Sequence, residues 1–401
     1  MANDHKTTAP YIIQGFRASA AAVGLKKNGN PDIGLIVSER EAVAAAVFTT
    51  NKVKAAPVLL SRDHVRDGKA RAIIANAGNA NACTGQAGLE DARRTADLVA
   101  RELGTTPEEV LVASTGVIGA PLNMNLISTG VPGLVASLSP EGLSSVAEAI
   151  MTTDSFPKTA RFEGEVQGKP YRIIGMAKGA GMIMPDMATM LCFVVTDIAV
   201  ESALLRETLI ESVETTFNRI TVDGDTSTND CVLAMANGMA ENPPLSKDDG
   251  VAFKRGLAFV LGELATMMVR DGEGASKVIH VKVKGAASAF DAETAARTIA
   301  NSSLVKTACY GQDPNWGRIM AAVGRSGIAM KEQEVDIWVN DVKIVEGGLG
   351  VGQEAEIRAT ECMKEKQFAL IVDLRQGSHE DRVLTCDLTH EYVTINADYR
   401  T

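Results

Sequence analysis

With 401 residues, 45% of them hydrophobic, the chain is long enough to bury a large core and to form two or three domains. Its 50 acidic side chains against 40 basic ones leave a net charge of −10, which disfavours a grip on nucleic acid or an anionic membrane, since both need clustered lysine and arginine. The opening MANDHKTTAPY has no apolar signal core and the apolar helical stretches, such as 256–269, are too short to span a bilayer, so a soluble, cytoplasmic chain is expected.

The first third alternates short strands with helical stretches. Asp32 to Ser38, Ala42 to Thr49 and Ala70 to Asn76 read as strands and Leu89 to Leu103 as a helix, which is α/β organisation. Further on, Leu205, Leu209, Val213 and Phe217 fall four apart, and Phe253, Leu257, Leu261, Leu264 and Met268 continue that periodicity. Both stretches read as amphipathic helices facing a core. From Lys277 onward, strands at Val278 to Val283, Glu334 to Asn340, Phe368 to Asp373 and Arg382 to Leu388 mix with helices near Ser288 to Ala300 and Glu354 to Met363. This predicts a smaller α+β C-terminal domain, 281–401, after a larger unit, 1–280. The closing YVTINADYRT opens with β-branched and aromatic residues suited to docking on a sheet.

The six cysteines are scattered singly with no C-x-x-C pair and read as reduced structural thiols. The five histidines form no set at metal-ligand spacing, so no metal is expected. Asp223, Asp225 and Ser227 stand at calcium-loop spacing, but position twelve is Ala234 where a bidentate carboxylate is required. The run GGLGVG at 347–352 misses the spacing of a dinucleotide fingerprint and reads as a turn.

Chemistry concentrates between Lys178 and Asp197, KGAGMIMPDMATMLCFVVTD. Gly179 and Gly181 permit backbone geometry that a Cβ resists, and Pro185 fixes φ, so the chain can be held bent where Thr189 precedes an apolar strand. A bent peptide bond lets the Thr189 hydroxyl attack the Ala188 carbonyl, giving an ester that water hydrolyses. The freed α-amine, which titrates near ~7.7–8.0, can then act as base for its own hydroxyl. Read without a family, the same residues are a glycine turn feeding a β-strand.

This stretch closely resembles the self-cleavage segment of the ornithine acetyltransferase family, the glutamate N-acetyltransferases of arginine biosynthesis. IIANAGNANACTG at 73–85, ASTGVIG at 113–119, MTTDSFPK at 151–158, FNRITVDGDTSTND at 217–230, RDGEGASK at 270–277, YGQDPNWGRI at 310–319 and YVTINADYRT at 392–401 are similar to that family's segments, in the same order, over nearly the whole chain. The resemblance implies a layered αββα core of the N-terminal-nucleophile kind with the smaller α+β domain. It implies cleavage between Ala188 and Thr189 into chains 1–188 and 189–401, with Thr189 as nucleophile and Thr115 and Gly116 as the oxyanion hole. Thr152, Lys178, Thr189, Glu273, Asn396 and Thr401 match the family's substrate-binding positions. Lys178 is the natural partner of a substrate carboxylate and Glu273 of a substrate ammonium. Asn76, Asn79 and Asn81, like Asn315 to Arg318, are expected to pin loops.

The implied activity moves the acetyl group of N-acetylornithine to glutamate through an acetyl-threonine. It needs no cofactor, acetyl-CoA being an optional co-substrate, and the two cleaved chains would assemble as a heterotetramer. The nearest rival is an N-terminal-nucleophile aminopeptidase or amidohydrolase, which would release its acyl group to water. A second rival is an uncleaved homologue with a binding or regulatory role.

Overall fold

The run Ile33–Phe48 organises the molecule. The computed structural model describes residues 11–184, 190–247 and 250–398, and in it these sixteen residues form one strand, β2, rather than the two expected from the sequence. The exposed stretch Glu39–Glu41 interrupts the apolar pattern, and the pairing with the next strand skips there between Val37 and Ala42. The strand therefore bends without ending. Its first half pairs with β1 (Phe16–Ala21) and its second with β8 (Cys231–Ala236). On its other edge lies β3 (Lys69–Asn79), parallel to β4 (Val110–Val117). Strands β5 (Lys158–Val166), β6 (Lys169–Lys178) and β7 (Leu191–Thr196) complete an eight-stranded sheet in the order β4-β3-β2-β8-β7-β6-β5, with β1 on β2.

Side-chain alternation gives this sheet three large cores among the described residues. Ile73 and Ala75 on β3 share one with Phe193 and Val195 on β7 and Leu233 and Met235 on β8, so the two halves of the sheet pack face to face around α4 (Leu143–Ala149). Ala72 and Ile74 turn the other way, onto α1 (Ala56–His64), α2 (Gly85–Leu103) and α3 (Met124–Ala136). Cys192, Val194, Val232 and Ala234 turn onto α5 (Ser202–Thr215) and α6 (Val251–Arg270), whose Leu205, Leu209, Val213, Leu257, Leu261, Leu264 and Met268 are buried. Helices, half-sheet, half-sheet, helices is the αββα layering.

A second, six-stranded sheet is built from β9 (Val278–Ala286), β10 (Asp336–Val339), β11 (Val342–Glu346), β12 (Leu349–Gly350), β13 (Gln367–Asp373) and β14 (His379–Cys386), in the order β12-β11-β10-β13-β9-β14. Its helices are α7 (Ala289–Ala300), α8 (Ser303–Tyr310), α9 (Trp316–Gly324) and α10 (Gln353–Met363). The Thr221 N–H donates to Leu384 O at 2.9 Å, tying β14 to the loop before β8.

The C-terminal segment corrects the sequence reading. His390–Asp398 is helix α11, not a docked strand. Asn396 Nδ2 donates back to Tyr392 O at 3.0 Å and Thr394 Oγ1 to His390 O at 3.3 Å, local bonds that override the β preference of Tyr392, Val393, Thr394 and Ile395. Cys192, Cys231, Cys309 and Cys386 are buried thiols, but Cys83 is exposed, so the structural reading does not extend to it. Among the described residues no helix is long and apolar enough to cross a membrane.

Candidate active site

The ends of β4, β6, β7 and β8 meet one cavity of about 240 Å3, closed by the turn after α6 and by α11. Thr115 and Gly116 enter it because the β3–β4 ladder slips: Asn79 lies opposite both Thr115 and Val117. Such a bulge turns backbone groups out of the ladder. Gly116 has φ +128°, and a Cβ there would lie 2.4 Å from the Gly78 carbonyl carbon, so only glycine fits. Ser114 Oγ donates to Asn76 Oδ1 at 2.6 Å, Asn76 Nδ2 to Asn79 O at 2.8 Å, and Asn229 Nδ2 to Ala80 O and Ser114 O at 2.6 and 2.8 Å. Buried amides therefore brace this loop from two sides.

Lys178, the last residue of β6, points Nζ at Thr115 Oγ1 across 3.4 Å. Burial lowers its pKa, against the pull of Asp154, Asp230 and Glu273. Asp154 organises what surrounds it. Its Oδ1 accepts from Lys158 Nζ and from the Gly179 N–H, both at 2.6 Å, and its Oδ2 from the Thr152 N–H at 2.9 Å. Burial would raise the Asp154 carboxyl, but Lys178 and Lys158 outweigh that and hold it at about 2. Lys158 Nζ also reaches Asp271 Oδ2 at 2.5 Å, and Asp271 in turn accepts from the Ser155 N–H and hydroxyl. One ionic cluster thus joins the segments around Thr152, Lys178 and Glu273.

Gly179 takes φ +151°, where a Cβ would lie 2.8 Å from Met268 Cε. Asp223 caps the following turn, accepting from the N–H groups of Met182 at 2.6 Å and Ile183 at 2.8 Å. Its carboxylate is thereby engaged with backbone. Glu273 Oε2 accepts from Asn396 Nδ2 at 2.8 Å, joining the turn after α6 to α11. A buried ammonium beside a hydroxyl and a glycine N–H suits developing negative charge on an oxygen, and the carboxylate facing it suits a ligand ammonium. The volume is below the ~300–1,000 Å3 of drug-sized sites and fits a small ligand. Among the described residues no group of three His, Cys, Asp or Glu side chains could hold a metal ion.

The family model described as the ArgJ family matches residues 17–401. The chain belongs to the ArgJ family. It is 53% identical over 391 residues to the arginine biosynthesis bifunctional protein ArgJ of Geobacter sulfurreducens, covering 97% of this chain and 100% of that one. It is 47% identical over 410 residues to the glutamate N-acetyltransferase of Methanocaldococcus jannaschii, 99% of each chain being covered. A crystal structure of the arginine biosynthesis bifunctional protein argJ from Bacillus halodurans is 42% identical with a TM-score of 0.50, and the match covers 52% of this chain and 98% of that chain.

Of the positions carried over from the ArgJ family, Thr115, Gly116, Thr152, Lys178, Glu273 and Asn396 all line the one cavity. Ala188, Thr189 and Thr401 lie outside the described residues; Met190 and Leu191, which follow the cleavage position, line the cavity wall. Asn76, Asn79 and Asn81 pin loops, Asn79 Nδ2 reaching Ala120 O and Pro121 O at 3.1 Å and Asn81 Nδ2 reaching Gly88 O at 2.8 Å. Asn315 caps α9 by accepting from the Arg318 N–H at 3.2 Å. Sequence reasoning missed Asp154, Lys158, Asp271 and Asp230. A signal existed: all four lie in quoted segments that resemble the family, and Lys158 stands at the head of a β-strand where a buried cation demands partners.

Proposed function

We propose that the chain cuts itself between Ala188 and Thr189 and that Thr189 then carries an acetyl group from N-acetylornithine to glutamate. Membership of the ArgJ family makes it an enzyme of arginine biosynthesis, a glutamate N-acetyltransferase. The observation that carries the finer reading is the single cavity that gathers Thr115, Gly116, Thr152, Lys178, Glu273 and Asn396 beside Met190, the residue after the proposed nucleophile. The half-length relative adds support: the solved chain corresponds to 52% of this one, about the length that a cut before residue 189 leaves.

In this reading the Thr115 hydroxyl and Gly116 N–H stabilise the oxyanion of each tetrahedral intermediate, and Lys178 strengthens their field. Acetylornithine acylates Thr189, ornithine departs, and the glutamate amine takes the acetyl group from the ester, which conserves the acyl bond energy between steps. Glu273 and Asn396 receive the ammonium and polar groups of the amino acid, with Thr152 and Thr401 completing the contacts. The exchange needs no cofactor, acetyl-CoA being an optional co-substrate, and the two cleaved chains pair as a heterotetramer.

Incubating purified protein with N-acetylornithine and glutamate, with and without acetyl-CoA, tests this. Acetylglutamate formed in step with ornithine is expected. Release of free acetate instead would make the protein an amidohydrolase, and no turnover would leave it a binding protein.

A further inference from the structure

Asp154 is not among the residues that line the cavity, yet it holds two segments that do. Its side chain is fully buried. One oxygen accepts from the Gly179 N–H at 2.6 Å and the other from the Thr152 N–H at 2.9 Å. Thr152 lies before β5 and Gly179 after β6, both beyond the β5–β6 ladder, which ends at Lys158 and Ala177. A single carboxylate therefore straps together two stretches that the sheet no longer holds.

The Gly179 nitrogen belongs to the peptide that leaves Lys178. That peptide enters a glycine at φ +151°, a conformation that side chains rarely adopt, and its N–H is bonded to Asp154 Oδ1. From the same corner Lys178 Nζ is aimed at Thr115 Oγ1, 3.4 Å away. The direction of this side chain thus depends on a peptide that Asp154 fixes.

The surrounding charges act in the same sense. Lys178 is faced by Asp154 and Lys158 from β5 and the loop before it, by Asp230 before β8, by Glu273 in the turn after α6 and by Lys26 from the loop after β1. Burial and the Lys158 ammonium lower the Lys178 pKa, and Asp154 opposes them more strongly than Asp230 or Glu273 does. Without Asp154 the two ammonium groups would face each other inside the protein.

We propose that Asp154 is a positioning residue of acetyl transfer, which aims the Lys178 ammonium at Thr115 and fixes the Thr152 backbone without touching substrate itself. The proposal rests on the role given to Lys178 above.

The test is the pH profile of kcat/KM for N-acetylornithine, with glutamate as acceptor, followed through the alkaline range in purified full-length protein. Where a charged Lys178 is required, activity falls as pH rises through its pKa. Asp154→Asn keeps the shape and removes the charge, so that fall should move to lower pH by about one unit, the lower end for the loss of an opposite charge. Its kcat should drop by about ten- to a hundredfold, as displaced reacting groups lose rate. Asp271→Asn breaks the same ionic cluster from its other side and leaves both N–H bonds of Asp154 in place, so its alkaline fall should stay where the wild type has it. Titration of the substrates is common to all variants and cancels in the comparison. An unmoved profile in Asp154→Asn, or an equal shift in Asp271→Asn, overturns the proposal.

Should Asp154→Asn not fold, Asp154→Glu decides, since it keeps the charge and lengthens the side chain by one methylene. An alkaline fall at the wild-type pH with kcat lowered at least about tenfold supports the proposal, and a wild-type kcat overturns it. Lys178→Met separates the two readings. Wild-type kcat in Lys178→Met would end the role of Lys178 and the proposal with it, whereas an inactive Lys178→Met beside an unmoved Asp154→Asn profile would remove Asp154 alone.

Discussion

Replacing Lys158 with methionine keeps the apolar stem and deletes one charge at a site with no access to water. Lys158 and Asp154 side chains are fully buried and that of Asp271 is 4% exposed, and the ammonium lies 2.6 and 2.5 Å from the two carboxylates. Breaking a buried pair by removing one partner costs about 3–5 kcal/mol, chiefly the desolvation of the charge left behind. Two such charges are left here, so the upper part of that range is expected. Urea unfolding in the Thr189→Ala background, where the uncut chain unfolds as one molecule, measures it. Adding Asp154→Asn and Asp271→Asn should restore part of the loss, because the two carboxylates stranded by the loss of Lys158 are neutralised while Lys178 loses the Asp154 charge beside it. A cost below about 1 kcal/mol for Lys158→Met, or a triple variant no more stable than the single one, would refute the reasoning. The same cluster sets an acid limit. Asp154 is held at about 2 against an ordinary 3.8, so its ionisation contributes roughly 2 kcal/mol that is present above pH 3.8 and lost as pH falls through about 2. That component should be missing from the acid titration of Asp154→Asn, which otherwise follows the wild type.

Denaturing mass spectrometry of mature protein should show chains of 188 and 213 residues, since 401 − 188 = 213. Thr189→Ala should stay whole and inactive; an uncut wild-type chain with full activity would end the mechanism. Thr115→Ala should lower kcat by about a hundred to a thousandfold, the range for one lost oxyanion donor, with KM little changed. A raised KM at unchanged kcat would make Thr115 a ground-state binder instead. Deleting Ala397 to Thr401 should leave scission intact but weaken acetyl transfer, because it disrupts the end of α11 that brings Asn396 to Glu273. Equal kcat/KM for truncated and full-length chains would remove α11 from the site.

Periodicity revealed what is local. Leu205 to Phe217 and Phe253 to Met268 fell four apart in sequence and are buried together against the β7–β8 face. It failed where tertiary contacts decide the outcome: a three-residue exposed interruption divides β2 on paper but only bends it in space, and Tyr392 to Ile395 form a helix under the hold of Asn396. The cavity residues come from segments as far apart as Thr115 and Asn396, and no spacing rule joins them. Resemblance supplied the residues proposed to touch substrate. It was silent on the groups behind them, since Lys158 and Asp271 are 113 residues apart and meet only in the fold.

The strand order has a consequence for how such an enzyme is made. Strands β7 and β8 follow the proposed cut, yet they occupy the middle of the sheet, with β2 on one flank and β6 on the other, each joined by six residue pairs. After such a scission two polypeptides would share one continuous ladder, and neither could leave without exposing the strands of both. The continuous chain assembles this arrangement as an intramolecular search, with loop-closure costs that grow only slowly with length. Once severed and unfolded, the same pieces would have to find each other in solution, so recovery would depend on concentration where first folding did not. On the proposed scission the uncut precursor would act as the enzyme's own template, used once, and the cleaved protein would persist by the slowness of its unfolding rather than by its ability to refold.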